Sequence, residues 1–181
     1  MNFEICYFSK KEIARISFTF FMPRHGVGVE HPVNDRGQVV FALVFFVVWG
    51  LDSFVLHFLF NIIGLFLLFV SVPVGVVSLF VGVYLVRRSE SAVFNNKEGR
   101  VIDTGVYSWV RHPMYLGSLL ILLGFSVATL SVLSLIVLAV FFVFLDRMAT
   151  YEEKNLTKIL GQQYIDYQKK VAKWIPYKNR N

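Results

Sequence analysis

Apolar and polar residues are not interleaved along this chain; they come in blocks. The apolar runs 38–60 and 65–86 each provide about the ~20 residues that a helix needs to cross hydrocarbon. Two shorter runs, 114–128 and 131–148, are joined by a tight turn with no charged residue, which predicts a helical hairpin. Beyond 148 the pattern changes. Leu156, Ile159, Leu160, Tyr164, Tyr167 and Val171 keep a 3–4 spacing while lysines, Asp166 and glutamines take the other face. The fourth helix therefore continues into water as an amphipathic helix over 149–170, with Gly161 as a point of interruption. The pattern predicts an all-α integral membrane protein: about four transmembrane helices and a C-terminal amphipathic helix.

Single residues refine these elements. Pro73 removes a backbone hydrogen bond inside the second span and should kink it or split it in two. Gly64, Gly75 and Gly82 allow close helix approach. Arg87 and Arg88 stop the second span, leaving 89–112 as a polar loop. Pro113 suits the first turn of the third helix, which puts His112 at or near its N-cap. Asp52 and His57 are costly in an apolar helix. The plainer reading places both at the outer boundary; the sharper one has Asp52 paired inside the bundle.

Hydrophobic residues make up 56% of the 181, and nineteen are phenylalanine, which suits a lipid-facing surface. Net charge is +6, and the eighteen Lys and Arg fall as five in 1–37, five in 87–112 and eight in 147–181. With four spans these segments share one side, and the opposite side has no basic residue. That asymmetry assigns both termini and the middle loop to the cytosol, most simply at the cell membrane. It also accounts for the excess charge without nucleic acid, for which no module is present.

Residues 1–37 read as a cytosolic or interfacial segment, and 38–181 as one membrane domain. Ile13, Ile16 and Phe20 fall at helical spacing, so 10–22 can lie along the membrane surface. No run in 1–37 has the length of a signal-peptide core. His25, Glu30, His31 and Asp35 cluster without a recognised metal-ligand spacing, and the single Cys6 excludes a disulfide framework.

This topology gathers the dense polar sequence beside the third and fourth helices. One wall is Tyr107, Trp109, Arg111, His112, Tyr115 and Gly117, within TGVYSWVRHPMYLG. The other is the exit of the fourth helix: Asp146, Arg147, Tyr151, Glu152 and Glu153. Arg111, His112 and a helix start can hold a carboxylate. Glu152 and Glu153 can accept from ribose hydroxyls or an ammonium group, the aromatic rings can face an adenine or a sulfonium, and Gly117 leaves room for close approach. A molecule with a carboxylate, an amine, a sulfonium and an adenosine matches this set. The bland reading is a belt of interfacial anchors.

TGVYSWVRHPMYLG, followed after an apolar hairpin by YEEKNLTKILGQQYIDYQKKVAKWIP, resembles the isoprenylcysteine carboxyl methyltransferase family and its phospholipid methyltransferase kin. The resemblance covers roughly 98–177 and implies an S-adenosyl-L-methionine pocket under the last hairpin, formed by 98–117 and 147–177 and closed by the C-terminal segment. By position it implies cofactor contacts at Gly99, Arg100, Val101, Ile102, Tyr107, His112, Pro113, Met114, Tyr115 and Glu152. An arginine one turn before that glutamate orients the acceptor in the family. Strict spacing lands on Met148, which leaves Arg147 as the nearest candidate, and the family's acidic pair after the glycine is Gln162 and Gln163 here.

The implied reaction is in-line attack on the sulfonium methyl by a lipophilic, amphipathic or prenylated acceptor arriving from the membrane lipid. A carboxylate acceptor needs no general base and gains from alignment and the exclusion of water. An amine or hydroxyl would need one, with Glu153 or His112 nearest. Two other readings stand beside this one: a membrane sterol-type reductase using NADPH, which shares a similar RHP-x-Y segment, and a non-catalytic membrane adaptor.

Overall fold

The fold is described here from a computed structural model for residues 34–56, 65–96 and 100–175. Helix α1 spans Asn34–Gly50 and is continued by a π-helical turn, Leu51–Leu56. Helix α2 is Leu65–Asn95, α3 is Pro113–Ala128, α4 is Val132–Leu160 and α5 is Gln162–Lys170; a 3₁₀ turn, Gly105–Ser108, precedes α3. Among the described residues there is no strand, only a parallel bridge between Val110 and Ala172. Helix α1 with its π turn, α2 and α4 are long and apolar enough to cross a membrane, whereas α3 is a shorter apolar helix. Its 16 residues reach about 24 Å at 1.5 Å each. The chain is a multi-pass membrane protein.

One boundary differs from that which the pattern predicts. Helix α2 does not end at Arg87 and Arg88 but runs to Asn95. Both arginines point outward, while the inner face continues through buried Ser89, whose Oγ donates to Leu85 O at 2.7 Å, and through Ala92 and Val93. Helix α2 also passes Pro73 as one element rather than two. Pro73 faces outward, where a missing backbone bond disturbs no packing. The amphipathic stretch after 148 breaks where expected, at Gly161, whose φ of +57° favours glycine.

Lipid offers no hydrophobic drive between helices, so close packing must hold the bundle. Helices α2 and α3 supply it with glycines two turns apart on each. A Cβ on Gly75 would lie 2.6 Å from Gly124 O, and one on Gly82 would lie 2.7 Å from Gly117 O. Between them Ser78 Oγ donates to Leu120 O at 2.7 Å. On the other side of α3 a core of Phe45, Tyr115, Leu119, Leu122, Leu138, Phe141, Leu145 and Ala149 joins α1, α3 and α4. Phe69 and Phe80 of α2 are more than 70% exposed, as lipid-facing side chains should be.

At the end of the bundle opposite the acid pair, Asp52 is buried in the π turn and accepts from Ser131 Oγ at 2.6 Å and Leu133 N at 3.1 Å. It thereby caps the start of α4. Both readings of Asp52 meet here: it lies at the far end of its helix and it is paired. Trp49 Nε1 donates to Phe125 O and Thr129 Oγ1, and Ser53 Oγ to Thr129 Oγ1, tying α1 to the α3–α4 turn. The expected surface helix at 10–22, Cys6, His25, Glu30, His31, His57, Gly64, Gly99, Pro176 and Tyr177 lie outside the described residues; of Asp35 only the helical backbone is described.

Candidate active site

The site forms where α3 begins and α4 leaves the apolar bundle. His112 is the N-cap of α3 and Pro113 its first residue, as the motif predicts. Tyr115, three residues on, lies on the same helix face, and its ring stacks on the His112 imidazole at 5.7 Å and 9°. Helix α4 brings Glu152 and Glu153, which are adjacent and so point about 100° apart around the helix. Glu152 faces α3 and is 4% exposed; Glu153 faces the loop before α3 and the last turn of α5.

The two glutamates are held differently. Tyr115 donates its hydroxyl proton to Glu152 Oε1, and His112 Nδ1 lies 3.8 Å from Glu152 Oε2. Glu153 Oε1 accepts from Arg111 Nε at 2.8 Å and faces His112 Nε2 at 3.0 Å, while Oε2 accepts from Arg111 Nη2 and from Gln168 Nε2, both at 3.3 Å. Arg111 Nη1 donates twice more, to Gln168 O at 3.1 Å and Val171 O at 2.8 Å.

Behind Glu152 lies Tyr107, 8% exposed, whose carbonyl accepts from Tyr167 Oη at 2.6 Å. Its own hydroxyl is buried with no hydrogen-bond partner among the described residues. Ser89, whose Oγ proton goes to Leu85 O, lies near enough to lower the Tyr107 pKa slightly. Burial, reinforced by the charge of Glu152, pushes the Tyr107 pKa well above the ordinary tyrosine value. Burial does the same to Tyr164, with Glu153 adding to it, and to Tyr167. All three therefore stay protonated at neutral pH.

Residues 171–174 form a strap across this cluster. Arg111 N donates to Ala172 O at 2.9 Å. Lys173 Nζ meets Asp146 Oδ1 at 2.5 Å, Asp146 O at 3.1 Å and Thr150 Oγ1 at 2.8 Å. Trp174 Nε1 donates to the same carboxylate at 2.7 Å, and its ring lies between Phe142 at 5.2 Å and His112 at 6.0 Å.

The model of the phospholipid methyltransferase family matches residues 70–163, just over half of the chain, from within α2 through the acid pair. The chain belongs to the phospholipid methyltransferase family. Curated relatives carry a narrower name. The chain is 38% identical over 78 residues to a protein-S-isoprenylcysteine O-methyltransferase of Saccharomyces cerevisiae, covering 42% of this chain and 33% of that protein. It is 33% identical over 81 residues to protein-S-isoprenylcysteine O-methyltransferase B of Arabidopsis thaliana, covering 44% and 41%. The Mus musculus protein-S-isoprenylcysteine O-methyltransferase is 34% identical over 79 residues, covering 42% and 28%. The chain thus spans well under half the length of the relatives it matches.

Seen against the family motif, the fold brings Arg111, His112, Tyr115, Glu152 and Glu153 together, with Tyr107 behind them. Val101 packs on the Tyr164–Tyr167–Val171 cluster and Ile102 on the Leu85–Val106–Tyr107 cluster, so both wall the same region. Pro113 and Met114 are buried, and Arg100 is exposed with its carbonyl accepting from Asn96 Nδ2. Gly117 gives its close approach to α2, since a Cβ there would lie 2.8 Å from Gly82 O and Val86 Cγ2. Arg147 is exposed on α4, and Trp109 is 53% exposed.

Gln168, Lys173 and Trp174 were not singled out individually, although the resemblance implied that the C-terminal segment closes the pocket. A signal was available. Asp146, Thr150 and Glu153 repeat at four and three residues, so they share one face of α4, and a polar face on an apolar helix needs a cover.

Proposed function

We propose that this chain is an integral-membrane methyltransferase that moves a methyl group from S-adenosyl-L-methionine to a lipid-like acceptor, most simply the carboxylate of an isoprenylcysteine. The observation that carries the reading is a buried carboxylate, Glu152, set by Tyr115 beside a buried Tyr107 hydroxyl with no hydrogen-bond partner among the described residues. Leaving a hydroxyl so costs about 1–3 kcal/mol, which a bound polar ligand would offset. Family membership and the names of the relatives supply the chemistry.

Tyr107, His112, Pro113, Met114, Tyr115 and Glu152, with Gly99, Arg100, Val101 and Ile102 from the preceding loop, would hold the donor. When bound, the donor supplies an electrophilic methyl on a sulfonium. The chain's own part is to bind, orient and keep water out. The Glu152 carboxylate favours a nearby cation, and Tyr107 stays a neutral donor. Arg147, exposed at the rim of the bundle, would orient an acceptor carboxylate arriving through lipid, without the burial that would over-neutralise the nucleophile.

In this reading α1 to α4 make four spans. Residues 1–37 form a cytosolic or interfacial segment, and 38–181 the catalytic domain. Both termini and α5 face the cytosol, placed there by the basic residues, at the cell membrane.

Titration of the detergent-purified protein with S-adenosylhomocysteine tests this. Binding should be present in wild type and weakened at least ~10-fold in Glu152→Gln, equivalent to losing about one charge-assisted hydrogen bond. Arg147→Ala should keep donor affinity and slow transfer to a carboxylate acceptor. Binding of NADPH in place of S-adenosylhomocysteine would end the proposal.

A further inference from the structure

Glu152 and Glu153 are neighbours in sequence, and the residue types alone assign both, with Arg111, to the donor. Their hydrogen bonding divides them. An ionised carboxylate offers about four lone-pair sites, and Glu153 fills four: Arg111 Nε, Arg111 Nη2, His112 Nε2 and Gln168 Nε2. A guanidinium offers five N–H donors in a rigid fork. Four are engaged, two by Glu153 and two by the carbonyls of Gln168 and Val171. The side chains of the pair are only 14% and 12% exposed. A saturated, enclosed ion pair has almost no capacity left for a ligand.

What the pair touches shows what it does. Arg111 bonds the chain at 168, 171 and, through its backbone N–H, 172. These are the last turn of α5 and the start of the strap. Asp146 holds the other end through Lys173 and Trp174. The strap therefore has two anchors, one at each end, with the His112 and Trp174 rings between them.

We infer that Arg111 and Glu153 are positioning residues that bolt the 171–174 strap over the cluster, and that Glu152 alone is the ligand-facing carboxylate. The bolt stands on geometry alone; its consequence for the donor rests on the methyltransferase reading. Lysine in place of Arg111 keeps the charge but cannot span Glu153 and two carbonyls together, so Arg111→Lys unfastens the strap without removing the cation.

The experiment is hydrogen–deuterium exchange on the full chain in nanodiscs, paired with S-adenosylhomocysteine titration, for wild type, Arg111→Lys and Glu153→Gln. Exchange in peptides covering 168–175 should rise roughly 10-fold in both variants while α2 and α3 keep their protection. S-adenosylhomocysteine affinity should fall by about 5- to 10-fold as a secondary effect of the loosened strap. Strap exchange at the wild-type rate with affinity lost would show that Arg111 or Glu153 reads the donor directly, and would overturn the inference. No change in either readout would overturn it too, leaving Asp146 as the only anchor. If Arg111→Lys raised exchange throughout, Glu153→Gln would decide the matter by the same criteria. Failure of wild type to bind S-adenosylhomocysteine would remove the methyltransferase reading, and strap exchange would still decide the bolt.

Discussion

Replacing Gly117 by alanine tests whether the α2–α3 contact sets the site. The new methyl would lie 2.8 Å from Gly82 O and Val86 Cγ2 and 3.1 Å from Leu85 Cβ. One of these is backbone, so the helices must part by roughly 0.6 Å to reach an ordinary contact, a gap that forfeits about a quarter of each pair's 0.1–0.2 kcal/mol. Over several tens of atom pairs this is on the order of 1–2 kcal/mol, and up to about 1 kcal/mol returns through alanine's better helix propensity. A net loss of about 1 kcal/mol falls at the lower end of the range seen for overpacking.

Gly124→Ala is the matched control, with its methyl 2.6 Å from Leu79 Cγ and 2.7 Å from Gly75 O. It should cost about as much stability. Gly117, however, is two residues from Tyr115, and Gly124 is nine, or about 13 Å along the axis. Only Gly117→Ala should pull Tyr115 from Glu152 and weaken S-adenosylhomocysteine binding, by roughly 10-fold for one lost charge-assisted hydrogen bond. Unfolding in detergent and calorimetric titration give the two numbers. Equal loss of binding in both variants, or no loss of stability in either, would refute the reasoning.

Three further outcomes follow from other parts of the fold. Asp52→Asn should weaken the cap on α4 and the tie to Ser131, costing about 1–3 kcal/mol in an unfolding titration without changing donor affinity. Leu130 holds a φ of +53° in the α3–α4 turn, so Leu130→Gly should stabilise the protein by about 1 kcal/mol, read as a higher midpoint of thermal unfolding. Tyr107, Tyr164 and Tyr167 have pKa values raised by burial. They add no pH dependence below the unfolded value of about 10, and stability falls above it as the unfolded chain ionises first; phenolate absorbance should show these three titrating only on unfolding.

The apolar blocks made the helices legible because lipid demands length and composition before anything else. Pro113 and His112 placed the start of α3 correctly for a local reason, the missing proline N–H. The end of α2 was not legible. Arg87 and Arg88 read as a stop only until the buried Ser89 face was seen to continue beneath them. Gly117 was visible as a place of close approach but not what approaches, since a glycine records space and not its occupant. The adjacent acids read as one functional unit, and only the three-dimensional partners separate Glu152 from Glu153. The hold of Arg111 on the strap was hidden for the same reason: it reaches backbone carbonyls at 168 and 171, and carbonyls carry no sequence signal.

The central claim is tested most directly by transfer of a radiolabelled methyl group from S-adenosyl-L-methionine to a prenylated cysteine in membranes containing the protein. The account predicts base-labile label in the lipid-soluble product, present with wild type and lost with Glu152→Gln. Absence of transfer to any lipid-soluble acceptor, from a protein that binds no S-adenosylhomocysteine, would contradict it.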